Sequence, residues 1–166
     1  MGYIAKLTFL CYNCDISHKR EDHIMTCTFF GHRRVPQEIE PTLRSTLIDL
    51  IENHDVNLFY VGNNGEFDAM VLRQLRDLSK TYPITYHVIL AYMPEKQREF
   101  DTTDYSETIL PDGIETVPKR SAIDYRNRWM IRQSEYVVTY ITNTIGSGAA
   151  KYKYLAEKYD KILILV

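Results

Sequence analysis

The side chains best suited to chemistry gather at three short polar turns that carry glycine: Gly31-His32-Arg33-Arg34, Gly62-Asn63-Asn64-Gly65-Glu66-Phe67-Asp68, and Thr142-Asn143-Thr144-Ile145-Gly146-Ser147-Gly148. A guanidinium beside a glycine can hold a phosphate or carboxylate through paired N–H groups, and a neighbouring imidazole adds a hydrogen bond or a proton. Gly31, His32 and Arg33 are candidates for that work. In the second turn, Gly62 and Gly65 let backbone N–H groups reach an anion, helped by the left-handed conformations that Asn and Gly tolerate. Asn64 and Asp68 carry groups able to bind ribose hydroxyls, while a carboxylate at Glu66 or Asp68 has helix capping as its competing role. The third turn is the best phosphate candidate: the Thr144 hydroxyl, Gly146, Ser147 and Gly148 stand just before a helix, whose first N–H groups have no internal partner.

The elements around these turns decide whether they meet. Each turn follows a β-type run, Thr26 to Phe30, Val56 to Val61 and Tyr136 to Ile141, and each precedes a helix-like stretch. In an open α/β sheet the ligand lies beyond the carboxyl ends of the strands, so three such turns predict one phosphate-accepting crevice. Pro36 opens a helix with Ile39, Leu43, Leu47 and Leu50 on its core face; Phe67, Val71, Leu75, Leu78 and Tyr82 form a second that Pro83 ends. A strand from Tyr86 to Tyr92 follows. Met93 to Pro118, with Pro94, Pro111, Pro118 and Gly113, reads as a long loop that covers the crevice, joins a homodimer, or runs over the surface doing neither. A helix from Arg120 to Glu135 carries Arg126, Arg128 and Arg132; Ala149, Tyr152, Leu155, Ala156 and Tyr159 mark the last helix, and Lys161 to Val166 a closing buried strand. The alternation predicts a Rossmann-like, doubly wound α/β fold, with a mostly parallel five-stranded sheet and helices on both faces.

With 166 residues, 45% hydrophobic and 25% charged, the chain suits one domain with one sizeable core, and its apolar runs are too short to span a bilayer. A net charge of −2 argues against tight nucleic-acid binding and for a small anionic ligand. Three cysteines make no disulfide framework and suit the reducing cytoplasm. Residues 1–24 differ in character and read as an appended leader, with Met25 the natural start of a domain covering 25–166. Cys11, Cys14, His18 and His23 are too poorly spaced for a zinc site, so neither a metal nor a cofactor is expected beyond the nucleotide-type ligand.

Taken in order, GHR after the first strand, GNNGEFD after the second, RNRWM in the helix before the penultimate strand and GSGAAKYKYLA after it resemble the SLOG superfamily. That group joins DprA-type DNA-processing proteins, cytokinin-activating LOG hydrolases and small YpsA-like proteins, the branch most similar to this chain. The resemblance spans Met25 to Val166 and implies a Rossmann-like fold that binds nucleotides or nucleotide-derived sugars. The hydrolase branch has an Arg four residues before a Met, which falls on Arg126 and Met130, and a glycine loop PGGxGTxxE whose Glu helps cleave an N-glycosidic bond. Here Gly146-Ser147-Gly148 is followed by Ala149, Ala150 and Lys151, without that Glu. The expectation is therefore a binding module or sensor for a nucleoside phosphate or an ADP-ribose type of ligand. The alternatives are a nucleoside 5'-monophosphate phosphoribohydrolase using Arg126 with Glu66 or Asp68, and a DprA-like binder of single-stranded DNA.

Overall fold

A computed structural model describes residues 24–93, 107–142 and 147–166. Residues 1–23 of the proposed leader, with the Cys11, Cys14, His18 and His23 group, and the site candidates Thr144 and Gly146 lie outside the described residues.

Six strands, β1 (Met25–Gly31), β2 (Val56–Val61), β3 (Thr85–Ile89), β4 (Thr108–Ile109), β5 (Tyr136–Tyr140) and β6 (Ile162–Leu165), form one sheet in the order β4-β3-β2-β1-β5-β6. Every pairing is parallel. Four helices, α1 (Glu40–Asn53), α2 (Glu66–Leu78), α3 (Lys119–Arg132) and α4 (Gly148–Lys158), cover both faces. Strand alternation sorts the core into two layers. Cys27 and Phe29 of β1, Phe59 of β2, and Tyr136 and Val138 of β5 pack with Leu43, Leu47 and Leu50 of α1 and with Phe67, Val71 and Leu75 of α2. Phe30, Ile89 and Val137 point the other way and meet Met130 and Ile131 of α3 and Tyr152 and Ala156 of α4. Parallel strands buried on both faces require such near-continuous apolar runs.

From β1 the sheet grows through β2 and β3 to β4; α3 then returns the chain to β5, on the opposite side of β1. Phe29 is in register with Val138, and Gly31 with Tyr140. The carboxyl ends of β1 and β5 thus flank the point where strand order reverses, the place where such sheets leave a crevice.

The sheet has six strands where the sequence predicts five. The extra one, β4, arises within the stretch read as loop, where Val88 pairs with Thr108 and Ile89 with Ile109. Two residues are too short to show a period. A 3-10 turn at Ile114–Thr116 also lies in that stretch. The helix expected to run to Tyr82 ends at Leu78: the N–H groups of Thr81 and Tyr82 both return to the Leu78 carbonyl. Pro83 excludes helical geometry from the residue before it, so the chain leaves the helix early. No helix among the described residues is long and apolar enough to cross a membrane.

Candidate functional site

A cavity of about 440 Å³ opens at the carboxyl edge of the sheet. Ten residues singled out in the sequence line it together: Gly31 at the end of β1, with His32 and Arg33 after it; Gly62, Asn64, Gly65 and Asp68 after β2; Arg126 on α3; and Ser147 and Gly148 at the start of α4. The three turns therefore do converge.

Arg126 forms the floor. Its residue is only 3% exposed, an arrangement that demands polar partners. Nε donates to Asn127 Oδ1 at 2.9 Å, and Nη1 donates to Asn64 Oδ1 at 2.8 Å, Asn63 Oδ1 at 3.1 Å and the Ile89 carbonyl at 3.4 Å. All of these acceptors are uncharged, and among the described residues no carboxylate forms an ion pair with Arg126 and Nη2 makes no hydrogen bond. Burial pushes its pKa down, while the nearby Asp68 charge pushes it up. Asp68 is half-buried in the same wall. Burial pushes its carboxyl upward, against the Asn64 N–H that donates to Oδ2 at 2.9 Å and against the charge of Arg126. Asn64 therefore uses its backbone N–H and its side-chain carbonyl to hold these two charged groups, while lining the cavity itself.

The glycines differ from one another. None of Gly31, Gly62, Gly65 and Gly148 has a left-handed backbone; among the described glycines only Gly113, at φ 79°, does, and Asp55 and Asp160 share that conformation away from the cavity. The left-handed backbone that Asn and Gly tolerate is not used between Gly62 and Gly65, and what Gly31, Gly62 and Gly65 provide is close approach. At Gly31 an added Cβ would lie 2.3 Å from Phe67 Cγ, so the glycine makes room for a core ring. At Gly62 it would lie 2.6 Å from Asp68 Oδ2 and 3.1 Å from Arg126 Nη2, so both charged groups rest against bare backbone. At Gly65 it would lie 3.2 Å from the Arg33 Cα. At Gly148 nothing stands within 4 Å, and this glycine faces open space.

Glu66 stands outside the cavity lining. Its Oε2 accepts the Val35 N–H at 3.0 Å, and its own N–H donates to the Arg33 carbonyl at 2.9 Å. The segment after β1 competes for that carboxylate and wins it. His32 is engaged as well: Nε2 accepts the Thr142 N–H at 2.9 Å and Nδ1 lies 3.5 Å from Ser147 Oγ. Ser147 caps α4 by accepting the Ala150 N–H at 3.4 Å. The Arg33 side chain is exposed at the mouth.

Sequence reading missed the opposite wall. Asn127, Met130, Ile123, Tyr152 and Phe30 line the cavity too, and Phe30 stacks on Tyr152 with ring centroids 5.1 Å apart. Asn127 was legible as the polar neighbour of Arg126; the Tyr152 hydroxyl, on a residue marked as core by its spacing, was not. That hydroxyl donates to Asp124 Oδ1 at 3.0 Å, and Asp124 also takes Lys151 at 2.6 Å and Arg128 at 2.7 Å. Burial would raise the Asp124 carboxyl, but these donors together hold it down at about 2. Among the described residues no group of three His, Cys, Asp or Glu side chains is arranged to hold a metal ion.

The cavity combines an almost fully buried guanidinium with spare donor capacity, the open first turn of α4 and an adjoining apolar wall. Such a set can bind an anion and bury an attached ring. No protein-family model matches the chain, and no curated protein is significantly similar to it.

Proposed function

We infer that the chain binds a nucleotide-type ligand, a nucleoside phosphate or a sugar nucleotide of the ADP-ribose kind, and acts as a binding module or sensor. The observation that carries this reading is Arg126: a guanidinium 3% exposed, lining the cavity, with Nη2 free of hydrogen bonds among the described residues. A buried cation whose hydrogen bonds all go to neutral carbonyl oxygens, with the Asp68 charge near but not bonded to it, keeps donors for an anion that arrives with the ligand. The N-terminus of α4, with Gly148 unobstructed, supplies backbone N–H groups from the other side. Asp68 offers a carboxylate to sugar hydroxyls, and Phe30, Met130 and Tyr152 give a base an apolar surface. The resemblance to the SLOG superfamily points the same way and is part of this proposal.

Binding is favoured over hydrolysis because Glu66 lies outside the cavity lining and, among the described residues, Asp68 alone lines it with a carboxylate. Calorimetric titration with AMP, adenosine, a dinucleotide and ADP-ribose tests the reading. Phosphate-bearing ligands are expected to bind and adenosine to give no measurable heat; adenosine binding as tightly as AMP would sink the proposal. Chromatography of the same mixtures is expected to show no free base.

A further inference from the structure

We propose that Asn127 is a positioning residue for the anion site: its amide oxygen fixes the Arg126 guanidinium with Nη2 open to the cavity, and because that oxygen is neutral the cation stays uncompensated until an anionic ligand arrives. This rests on the reading of the cavity given above.

Asn127 is 6% exposed and directly follows Arg126 on α3. Successive residues of a helix do not face one another, so a contact between their side chains has to be built. Here Arg126 Nε donates to Asn127 Oδ1 at 2.9 Å. An arginine can only donate, which sets the amide with its oxygen toward the guanidinium. At the far end of the same plane, Nη1 is held by Asn64 Oδ1 at 2.8 Å and Asn63 Oδ1 at 3.1 Å. A rigid fork gripped at Nε and at Nη1 has no rotation left, so the direction of Nη2 is fixed. The enclosed polar side-chain atoms without a partner among the described residues belong to His87, Ser134 and Thr139, and none to Arg126. The unbonded Nη2 is therefore not sealed in, and it opens on the cavity that Arg126 lines.

The neutrality of the grip matters as much as its geometry. A carboxylate in place of the Asn127 amide would hold Nε with the same shape and more strongly, but it would also be a counter-ion. Asp68 does not take that part, because its Oδ2 accepts the Asn64 N–H and no ion pair joins it to Arg126. Asn127 is itself anchored from behind. Burial raises the Tyr152 hydroxyl pKa most, and a hydrogen bond from the Asn127 side chain opposes that rise. Tyr152 Oη in turn donates to Asp124 Oδ1 at 3.0 Å. The grip on Arg126 is thus braced by a chain of contacts that ends outside the cavity lining.

Two measurements on the intact protein test the assignment. The first needs no ligand: the Arg126 Nε–Hε pair, identified in nitrogen-15 NMR by its loss in R126K, is expected to exchange with water about tenfold or more slowly in wild type than in N127A. Equal exchange rates would overturn the proposal. The second titrates wild type and N127D with ADP-ribose and with inorganic pyrophosphate, alongside urea unfolding. N127D keeps the hydrogen bond and adds only a charge, so its unfolding midpoint is expected to hold while its affinity for both anions falls about tenfold or more. A merely structural residue would leave affinity untouched by this exchange, and wild-type affinity in a folded N127D would overturn the proposal. Should N127D fail to fold, the exchange rates in N127A decide. Pyrophosphate binding without ADP-ribose binding in wild type would count against the nucleotide reading and leave the role of Asn127 standing. Binding of neither anion would overturn both.

Discussion

The two sides of the cavity look alike in sequence and differ in what their glycines do. On the α2 side Gly31 is filled by Phe67, Gly65 abuts the Arg33 backbone, and the Glu66 carboxylate is tied to Val35. On the α4 side Gly148 has nothing within 4 Å. One wall is packed and the other open. A glycine at the end of a strand therefore carries two separable meanings, close packing of protein on protein or an approach left for a ligand, and the neighbouring atoms tell which applies.

Substitutions should break the two walls differently. Gly148→Asp adds a side chain into open space at the first position of a helix, where a carboxylate suits the helix dipole, so stability is expected to hold within about 0.5 kcal/mol. The same carboxylate would face the ligand's phosphate, and ADP-ribose binding is expected to fall by more than about a hundredfold. Gly31→Ala should do the reverse. Its Cβ meets the Phe67 ring in the central strand, and overpacking there is expected to cost about 2 to 3 kcal/mol in urea unfolding. Loss of stability in Gly148→Asp, with binding kept, would reverse the assignment of the two walls.

Next in size is the contrast along α3. Arg126 is buried with spare donor capacity, whereas Arg132, in the last turn of the same helix, is exposed. Arg126→Ala is expected to weaken ADP-ribose binding about tenfold or more, through loss of charge-assisted hydrogen bonds. It should also loosen the turn after β2, since Asn63 and Asn64 lose their shared donor. Arg132→Ala is expected to leave affinity within about twofold. Equal losses in the two variants would mean a diffuse positive field in place of a defined site.

Much of this architecture is legible in the chain because its strands are long apolar runs ending in polar turns, and α1 and α2 keep strict helical spacing. Val56 to Val61 is read to the residue. β4 escapes because two residues at an edge leave no pattern, and the early end of α2 escapes because Pro83 acts on the residues before it. Within the site, the convergence of three turns follows from strand order alone. What sequence cannot supply is which polar groups use each other up: Glu66 goes to Val35, Asn64 to Arg126 and Asp68, and His32 to Thr142. Apart from the local Asn64–Asp68 bond, those choices depend on distances between turns separated by dozens of residues. The Tyr152 wall is hidden for a related reason, since a core-like spacing also describes a side chain whose hydroxyl ends at a charged cluster.

The smallest expected effect separates the body of α4 from its N-terminus. Asp124 joins α3 to α4 through Lys151 and Tyr152 while pairing with Arg128 along its own helix. Its carboxyl is held at about 2, below the ordinary 3.8 of an unfolded chain, so its contribution to stability is complete above about pH 4 and is lost as pH falls through about 2. Asp124 is about a third exposed, and solvent screening keeps that contribution small: Asp124→Asn is expected to cost under about 1 kcal/mol at pH 7. Denaturation of both proteins across the acid range should show the gap between them steady down to about pH 4 and closed below about pH 2. The variant should bind ADP-ribose within about twofold of wild type, because Asp124 holds the helix body and lies outside the cavity lining. A gap already closed at pH 5 would mean that these three donors do not hold the charge, and a large loss of affinity would mean that the open wall depends on the clasp between the helices as well as on its own first turn.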